Sequence, residues 1–286
     1  MTKIINTLID DIHTMLETGV DVDSPLVYQS VHLCAEDIQQ AIYNILAEGD
    51  RRRLSNLRLS MIGKPDRQVW YSLNVDNPSV LDGQTRIKFL MGHIMEAVII
   101  ALAQIAGHKV EGEQAKIDVE GIKGHQDCRI DDVLVDIKTA SPYSFKKFKD
   151  GADGLSENDP FGYMAQISAY ATAQGDEEAA FLAIEKSSAE MALCWVYKDN
   201  MIDAPKRVNA LKKVAKLEQP PERCYEPVAD GQAGNMKLPV GCVFCDYKKI
   251  CWADANGGEG LRTFQYSNGL RYFTHIEKDP NVQEMK

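Results

Sequence analysis

The chain predicts a mixed α/β fold, a sheet flanked by helices, with a helical region ahead of it and a cysteine-bearing segment behind. Three observations carry that prediction. Apolar residues recur at helix spacing through the first fifty positions and again in the stretch that ends at Gly107. From Val133 to Lys138 the sequence alternates with period two, and apolar runs at 179–184 and 191–196 have the length of strands. Four of the seven cysteines crowd between positions 224 and 251. The expected divisions are 1–57 for the N-terminal helices, 58–220 for the α/β core and 221–286 for a cysteine segment packed on that core.

At the N-terminus, Ile4, Ile5, Leu8, Ile9, Ile12, Met15 and Leu16 mark one helix, and a break near Pro25 precedes a second through Ile38, Ile42 and Leu46. Gly63 and Pro65 then turn the chain into a short helix that displays Arg67 beside Trp70 and Tyr71. Arg67 there can grip a phosphate, stack on an aromatic ring or stand in solvent. A long helix from about Gln84 to Ala106 follows the turn Asn77-Pro78-Ser79 and stops at Gly107. Its second half is apolar apart from Gln104, which predicts burial against the sheet. His93 and Glu96, at i and i+3, share one of its faces.

The stretch from Gly121 to Thr139 reads as a hairpin that carries charge inward. Asp131-Asp132 is the natural two-residue turn, which sets Ile130 against Val133, Arg129 against Leu134, Cys128 against Val135 and Asp127 against Asp136. Like charges directly opposite repel, and a divalent cation such as magnesium neutralises them. Lys138 lies on the same face as Asp136, placed to orient a metal-bound water or to steady charge on a phosphate. A solvated polar hairpin is the plain alternative. His93 and Glu96 are further candidates for the same metal.

Beyond Thr139, Asp159 is placed to cap a helix with Pro160 in its first turn, running to about Gly175 with Gln166 and Tyr170 on one face. Two strands joined at Lys186-Ser187-Ser188 come next, then a lysine-rich helix from about Ala204 to Leu217. After the cysteines, Asn256-Gly257-Gly258-Glu259-Gly260 leads into a strand pair at 261–266 and 270–276.

Composition narrows the partners. A formal net charge of −10 argues against a protein that coats nucleic acid, while local basic clusters at Arg51-Arg52-Arg53, Lys146-Lys147-Phe148-Lys149 and Lys206 to Lys216 leave room for a groove or for solvated faces. Apolar runs stay short of the roughly 20 residues a bilayer span needs. The first residues lack a signal-peptide layout, and an odd number of cysteines with a local crowd favours metal binding in a reducing cytoplasm.

The series His93-Ile-Met-Glu96, Gly124-His-Gln-Asp127, Asp136-Ile137-Lys138 and Gln166-Ile-Ser-Ala-Tyr170 resembles the RecB-like nucleases of the PD-(D/E)XK superfamily. The resemblance implies a restriction-endonuclease-like core. It also implies magnesium or manganese held by His93, Asp127, Asp136 and the Ile137 carbonyl, with Glu96 in support. Asp127, Asp136, Lys138 and Glu96 would be the catalytic residues, with Lys138 activating water. Arg67, Gln166 and Tyr170 would contact DNA.

The segment Cys242-Val-Phe-Cys245-Asp-Tyr-Lys-Lys-Ile-Cys251-Trp252 is similar to the C-terminal cysteine cluster of the iron–sulfur nucleases, including those of CRISPR adaptation. In that group the fourth ligand lies upstream, in a segment corresponding here to Pro65-Asp66-Arg67, where no cysteine stands. Cys224 is the local replacement. The family likeness favours a [4Fe-4S] cluster on Cys224, Cys242, Cys245 and Cys251, and a structural zinc is the alternative. The layout, without helicase motifs, resembles stand-alone bacteriophage exonucleases. The expected activity is metal-dependent hydrolysis of DNA from single-stranded ends, in recombination, repair or phage DNA processing, with recombination or replication proteins as partners. A structure- or site-selective endonuclease and an inactive nucleic-acid-binding protein are the alternatives.

Overall fold

The structure is a computed structural model that describes residues 3–47, 56–76, 82–157, 159–267 and 269–285. The basic run Arg51-Arg52-Arg53 and the turn at Asn77-Pro78-Ser79 lie outside the described residues.

In chain order, α1 spans Leu8–Thr18, α2 Pro25–Ala47, α3 Asp66–Asn74 and α4 Gly83–Ile105. Five strands follow: β1 Val110–Glu111, β2 Lys116–Val119, β3 Ile122–His125, β4 Cys128–Ile130 and β5 Val133–Ala140. Then come α5 Pro142–Lys149, α6 Gly151–Ser156, α7 Tyr163–Gln174, β6 Glu178–Glu185, β7 Met191–Tyr197 and α8 Ala204–Val214. The C-terminal part holds β8 Val228–Ala229, β9 Met236–Lys237, three one-turn helices within 240–258, β10 Arg262–Tyr266, β11 Gly269–His275 and β12 Glu284–Met285.

The chain divides into two compact units otherwise than expected. One comprises Met1–Arg51, Leu57–Gly63 and Val80–Asn209, so the N-terminal helices belong with the α/β core. The other comprises Arg52–Asn56, Lys64–Ser79 and Ala210–Lys286.

The first unit is built on a mixed sheet of order β1-β4-β5-β6-β7, in which β5 and β6 run parallel and the remaining pairs antiparallel. The parallel pair is why a crossover, here α5 to α7, lies between them. One sheet face, with Val135, Ile137, Leu182 and Ile184, packs on Ile99, Ile100 and Ala103 of α4 and on Leu8 and Ile12 of α1. The opposite face carries Asp136 and Phe181 toward the crossover helices.

The hairpin closes as its sequence predicts for three pairs, but the ladder ends at Cys128↔Val135, so Asp127 is not paired with Asp136, and β3 pairs with β2 instead of extending the hairpin. Asp131 and Asp132 both take positive φ, 49° and 68°, as a type I′ turn requires. The register is Ile130↔Val133, Arg129↔Leu134 and Cys128↔Val135. The turn is tied down by His108, whose Nδ1 stands 2.6 Å from Asp131 Oδ2, and by the Lys109 amide, which donates to Asp131 Oδ1 at 3.0 Å.

Two expectations need correction. The helix after Pro160 starts only at Tyr163, because Gly162 takes a left-handed φ of 78° and ends the preceding turn. Asp159 still caps from a distance, accepting from the amides of Gly162 at 2.8 Å and Met164 at 2.9 Å. The helix α4 is, among the described residues, long and apolar enough to cross a membrane by length and composition. Its buried residues, Ala97, Ile99, Ile100, Ala101 and Ala103, lie in the C-terminal half, as its apolar run predicts.

The second unit carries a sheet of order β12-β10-β11-β9-β8 around Phe264 and Phe273. Its α3 packs Trp70 and Tyr71 on Val214, and the Trp70 indole donates to the Leu217 carbonyl at 2.8 Å.

Candidate active site and cysteine pocket

Period-two alternation puts Asp136 and Lys138 on one face of β5. Asp127, one residue beyond the end of β4, turns the same way because its neighbour Cys128 faces the core. Asp127 Oδ2 accepts the amide N–H of Ile137 at 2.8 Å. Asp136 is 2 % exposed, and the Lys138 ammonium pairs with its Oδ2. Its Oδ1 is buried without a hydrogen-bond partner.

Burial lifts the Asp127 carboxyl well above the usual carboxylate range, and the neighbouring Asp136 charge adds to the rise. Burial raises Asp136 as well, against the lowering pull of Lys138. For Lys138 burial alone favours the neutral amine, yet Asp136 and Asp127 outweigh it and hold the ammonium above its ordinary value. With both carboxylates ionised, the buried Asp136 and the half-buried Asp127 have one ammonium beside them, an imbalance a divalent cation would offset.

Glu96 of α4 acts on both aspartates, and its Oε1 accepts from the Gln114 amide at 2.8 Å. His93 stands at the surface, its side chain 64 % exposed and its Nδ1 3.9 Å from Glu96 Oε2. Among the described residues no three His, Cys, Asp or Glu side chains converge closely enough to hold one metal ion. The expected set of His93, Asp127 and Asp136 is therefore not drawn together around one point. Each aspartate has a local partner instead, Asp127 the Ile137 amide and Asp136 the Lys138 ammonium.

On α7, Gln166 donates to the Tyr170 hydroxyl at 3.0 Å, so the expected pair is joined. Tyr170 is 2 % exposed, and burial pushes its hydroxyl up to about 12. Gly124 makes room for it: a Cβ there would lie 2.9 Å from Leu59 and 3.0 Å from the Tyr170 ring. Tyr163, on the same helix face as Gln166 and Tyr170, was not among the expected site residues. The Lys138 ammonium stands 5.4 Å from its ring centroid. The signal was present as a residue at i−3 from Gln166.

In the second unit the four expected cysteines, Cys224, Cys242, Cys245 and Cys251, line one cavity with Arg67, Tyr71, Lys248 and Trp252. Burial pushes the Cys242 and Cys245 thiols up to about 11 and raises Cys224. Cys224 accepts the backbone amides of Arg67 and Gln68 at the start of α3. Arg67 donates through Nε to Cys251 Sγ at 3.1 Å, through Nη1 to the Pro221 carbonyl and through Nη2 to the Tyr71 hydroxyl at 3.2 Å. The structure thus places Arg67 in the cysteine pocket, with its guanidinium engaged there. As at the aspartates, no three of these side chains converge closely enough, among the described residues, to hold one metal ion.

No family model matches the chain, and no curated protein matches it. Among solved structures, the crystal structure of an alkaline exonuclease from Laribacter hongkongensis covers 57% of this chain and 85% of its own at 15% identity, with a TM-score of 0.34. The crystal structure of SSO0001 is similar over 76% of this chain and 95% of its own at 14% identity, with a TM-score of 0.43.

Proposed function

We propose that this chain is a metal-dependent deoxyribonuclease of the RecB-like PD-(D/E)XK type that degrades single-stranded DNA from an end. The observation that carries the reading is the half-buried Asp127 and the buried Asp136 with Lys138 on one face of a single hairpin. Asp127 and Asp136 would hold magnesium or manganese, with the carbonyl of Ile137, and with Glu96 and His93 contributed by α4. The Ile137 amide already points to Asp127, and in an extended strand the carbonyl of the same residue leaves from the same edge. When bound, the metal supplies a Lewis acid for the phosphate and a water of lowered pKa. Lys138 holds its proton, so it serves by orienting water and by steadying charge on the scissile phosphate. Tyr163 beneath the ammonium and Asp136 beside it fix the direction of that side chain.

Cys224, Cys242, Cys245 and Cys251 would carry a [4Fe-4S] cluster that staples the second unit, in preference to a structural zinc. Seven free cysteines support a reducing cytoplasm as its place of work. Gln166 and Tyr170 would act by shaping the wall beside the carboxylates.

The test is incubation of linear and circular single-stranded DNA with magnesium, with manganese and with chelator. Linear strands reduced to short oligonucleotides, circles spared and no cleavage in chelator are expected. Cleavage of circles at a comparable rate would replace the exonuclease by a structure- or site-selective endonuclease on the same core.

A further inference from the structure

The residues expected to meet DNA are otherwise occupied: Tyr170 is buried, and the Arg67 guanidinium is engaged with Cys251. Cations open to solvent stand instead on β2 and β3, a two-stranded ribbon apart from both larger sheets. The ribbon turns through Glu120-Gly121, both at positive φ, 52° and 77°. It pairs Lys116 with His125, Ile117 with Gly124, Asp118 with Lys123 and Val119 with Ile122. Residues directly opposite share a face, so period two divides the ribbon into an inner and an outer side. Ile117 and Val119 are buried on the inner side, where Gly124 lets Leu59 and the Tyr170 ring approach. Lys116, Asp118, Lys123 and His125 are exposed on the outer side. Arg58, also exposed, joins them through a parallel bridge to Lys123.

In a chain of net charge −10 a cation readily finds a carboxylate, as Lys109, Arg129, Lys149 and Lys198 do. Among the described residues Arg58, Lys116 and Lys123 enter no ion pair. The carboxylates of the ribbon are Asp118, which accepts the Gly121 amide at 2.8 Å, and Glu120 in the turn. Same-face neighbours along a strand repeat every ~6.6 Å, so these cations form a row and do not converge on a point. A row suits a polyanion. It also leads to the hairpin carboxylates: His125, opposite Lys116, is two residues from Asp127 and Lys123 is four, which bounds their Cα separations at about 7 and 14 Å.

We infer that the outer face of the β2–β3 ribbon, with Arg58, is a track that holds the phosphodiester backbone of DNA on its way to Asp127 and Asp136. The inference rests on the nuclease reading and adds to it the surface by which the substrate is held. Phosphate contacts position a strand without reading its bases, so the track accepts any sequence and loosens as salt rises.

The experiment uses the whole chain and linear single-stranded oligonucleotides of several sequences. Binding is read by anisotropy in chelator across a salt series, and KM is measured with magnesium. Lys116→Gln combined with Lys123→Gln should flatten the dependence of log affinity on log salt by about 0.7 for each side chain removed, equally for every sequence, and should raise KM. Adding Arg58→Gln should flatten it by a further step of the same size. Lys198→Gln, which removes a surface lysine paired with Glu177, should keep the wild-type slope and KM. A slope unchanged in the double variant, or flattened as much by Lys198→Gln, would overturn the track and leave the nuclease standing. Wild-type protein that neither binds nor cleaves single-stranded DNA would overturn both.

Discussion

The carboxylate of Asp127 accepts the backbone N–H of Ile137, at 2.8 Å, and thereby fastens the end of one hairpin strand to the residue between Asp136 and Lys138. An asparagine retains an acceptor for that bond and removes one of two neighbouring like charges. Asp127→Asn is therefore expected to abolish metal-dependent cleavage while raising the melting temperature in chelator by a few degrees, about 1 kcal/mol of relief. Because the Asp127 carboxyl is held above its unfolded value, its stabilising contribution is full below the ordinary carboxylate range and is lost as pH rises through the raised folded value. Chelated wild type should weaken from acid toward neutral pH, and the variant should show a shallower decline. Equal pH slopes in thermal melts would contradict the assignment.

Lys138 is the ammonium paired with the Asp136 carboxylate. Lys138→Ala leaves that buried carboxylate uncompensated, a loss of about 3–5 kcal/mol. Melting in chelator should fall by several degrees and recover in part with millimolar magnesium. Cleavage should drop by about 10²–10⁴-fold with DNA affinity retained. Normal turnover in this variant would remove Lys138 from the site.

For the cysteines, protein purified without oxygen is expected to be brown, with broad visible absorption and on the order of four irons per chain. Cys245→Ser should bleach it, and Cys224→Ser should do the same if Cys224 is the fourth ligand. A colourless protein with one zinc would replace the cluster by a structural zinc. Arg67→Ala removes the guanidinium bonded to Cys251 and should make the colour bleach faster in air.

Gly162 combines a positive φ with contact against Gly63: a Cβ there would lie 2.5 Å from the Gly63 Cα. Gly162→Ala is expected to cost about 2–4 kcal/mol through backbone strain and overpacking. It should also lower kcat by displacing Tyr163. Chemical denaturation and single-turnover kinetics read the two effects separately, and a neutral variant would show that the contact yields without cost.

The hairpin was legible in the sequence because period-two alternation admits one register and the two-aspartate turn fixes it. The long apolar helix was legible because its charge stops at Glu96. The start of α7 was not, since Asp-Pro reads as a local cap while Asp159 caps across Gly162. Nor was the place of Arg67. Its proximity to Trp70 and Tyr71 was readable, but its bond to Cys251 joins positions far apart in sequence, which no local pattern encodes. The expected Tyr170 contact with DNA came from the family resemblance, and the helix spacing beside it says which residues share a face and not how deeply that face is buried.

The second unit draws on residues 64–79 and on everything after 210, with the sheet of the first unit encoded between them. During synthesis, at about 5–20 residues per second, Arg67, Trp70 and Tyr71 emerge long before Cys224 to Cys251 exist. The β5–β6 sheet can form on the ribosome while that earlier strip waits with its aromatic side chains unpacked. The thiol pocket consequently closes only after synthesis has passed Cys251 and Trp252, and any metal it takes would be loaded after that point. Nascent chains truncated near residue 210 should expose the strip to chaperones and proteases even where the hairpin is already closed.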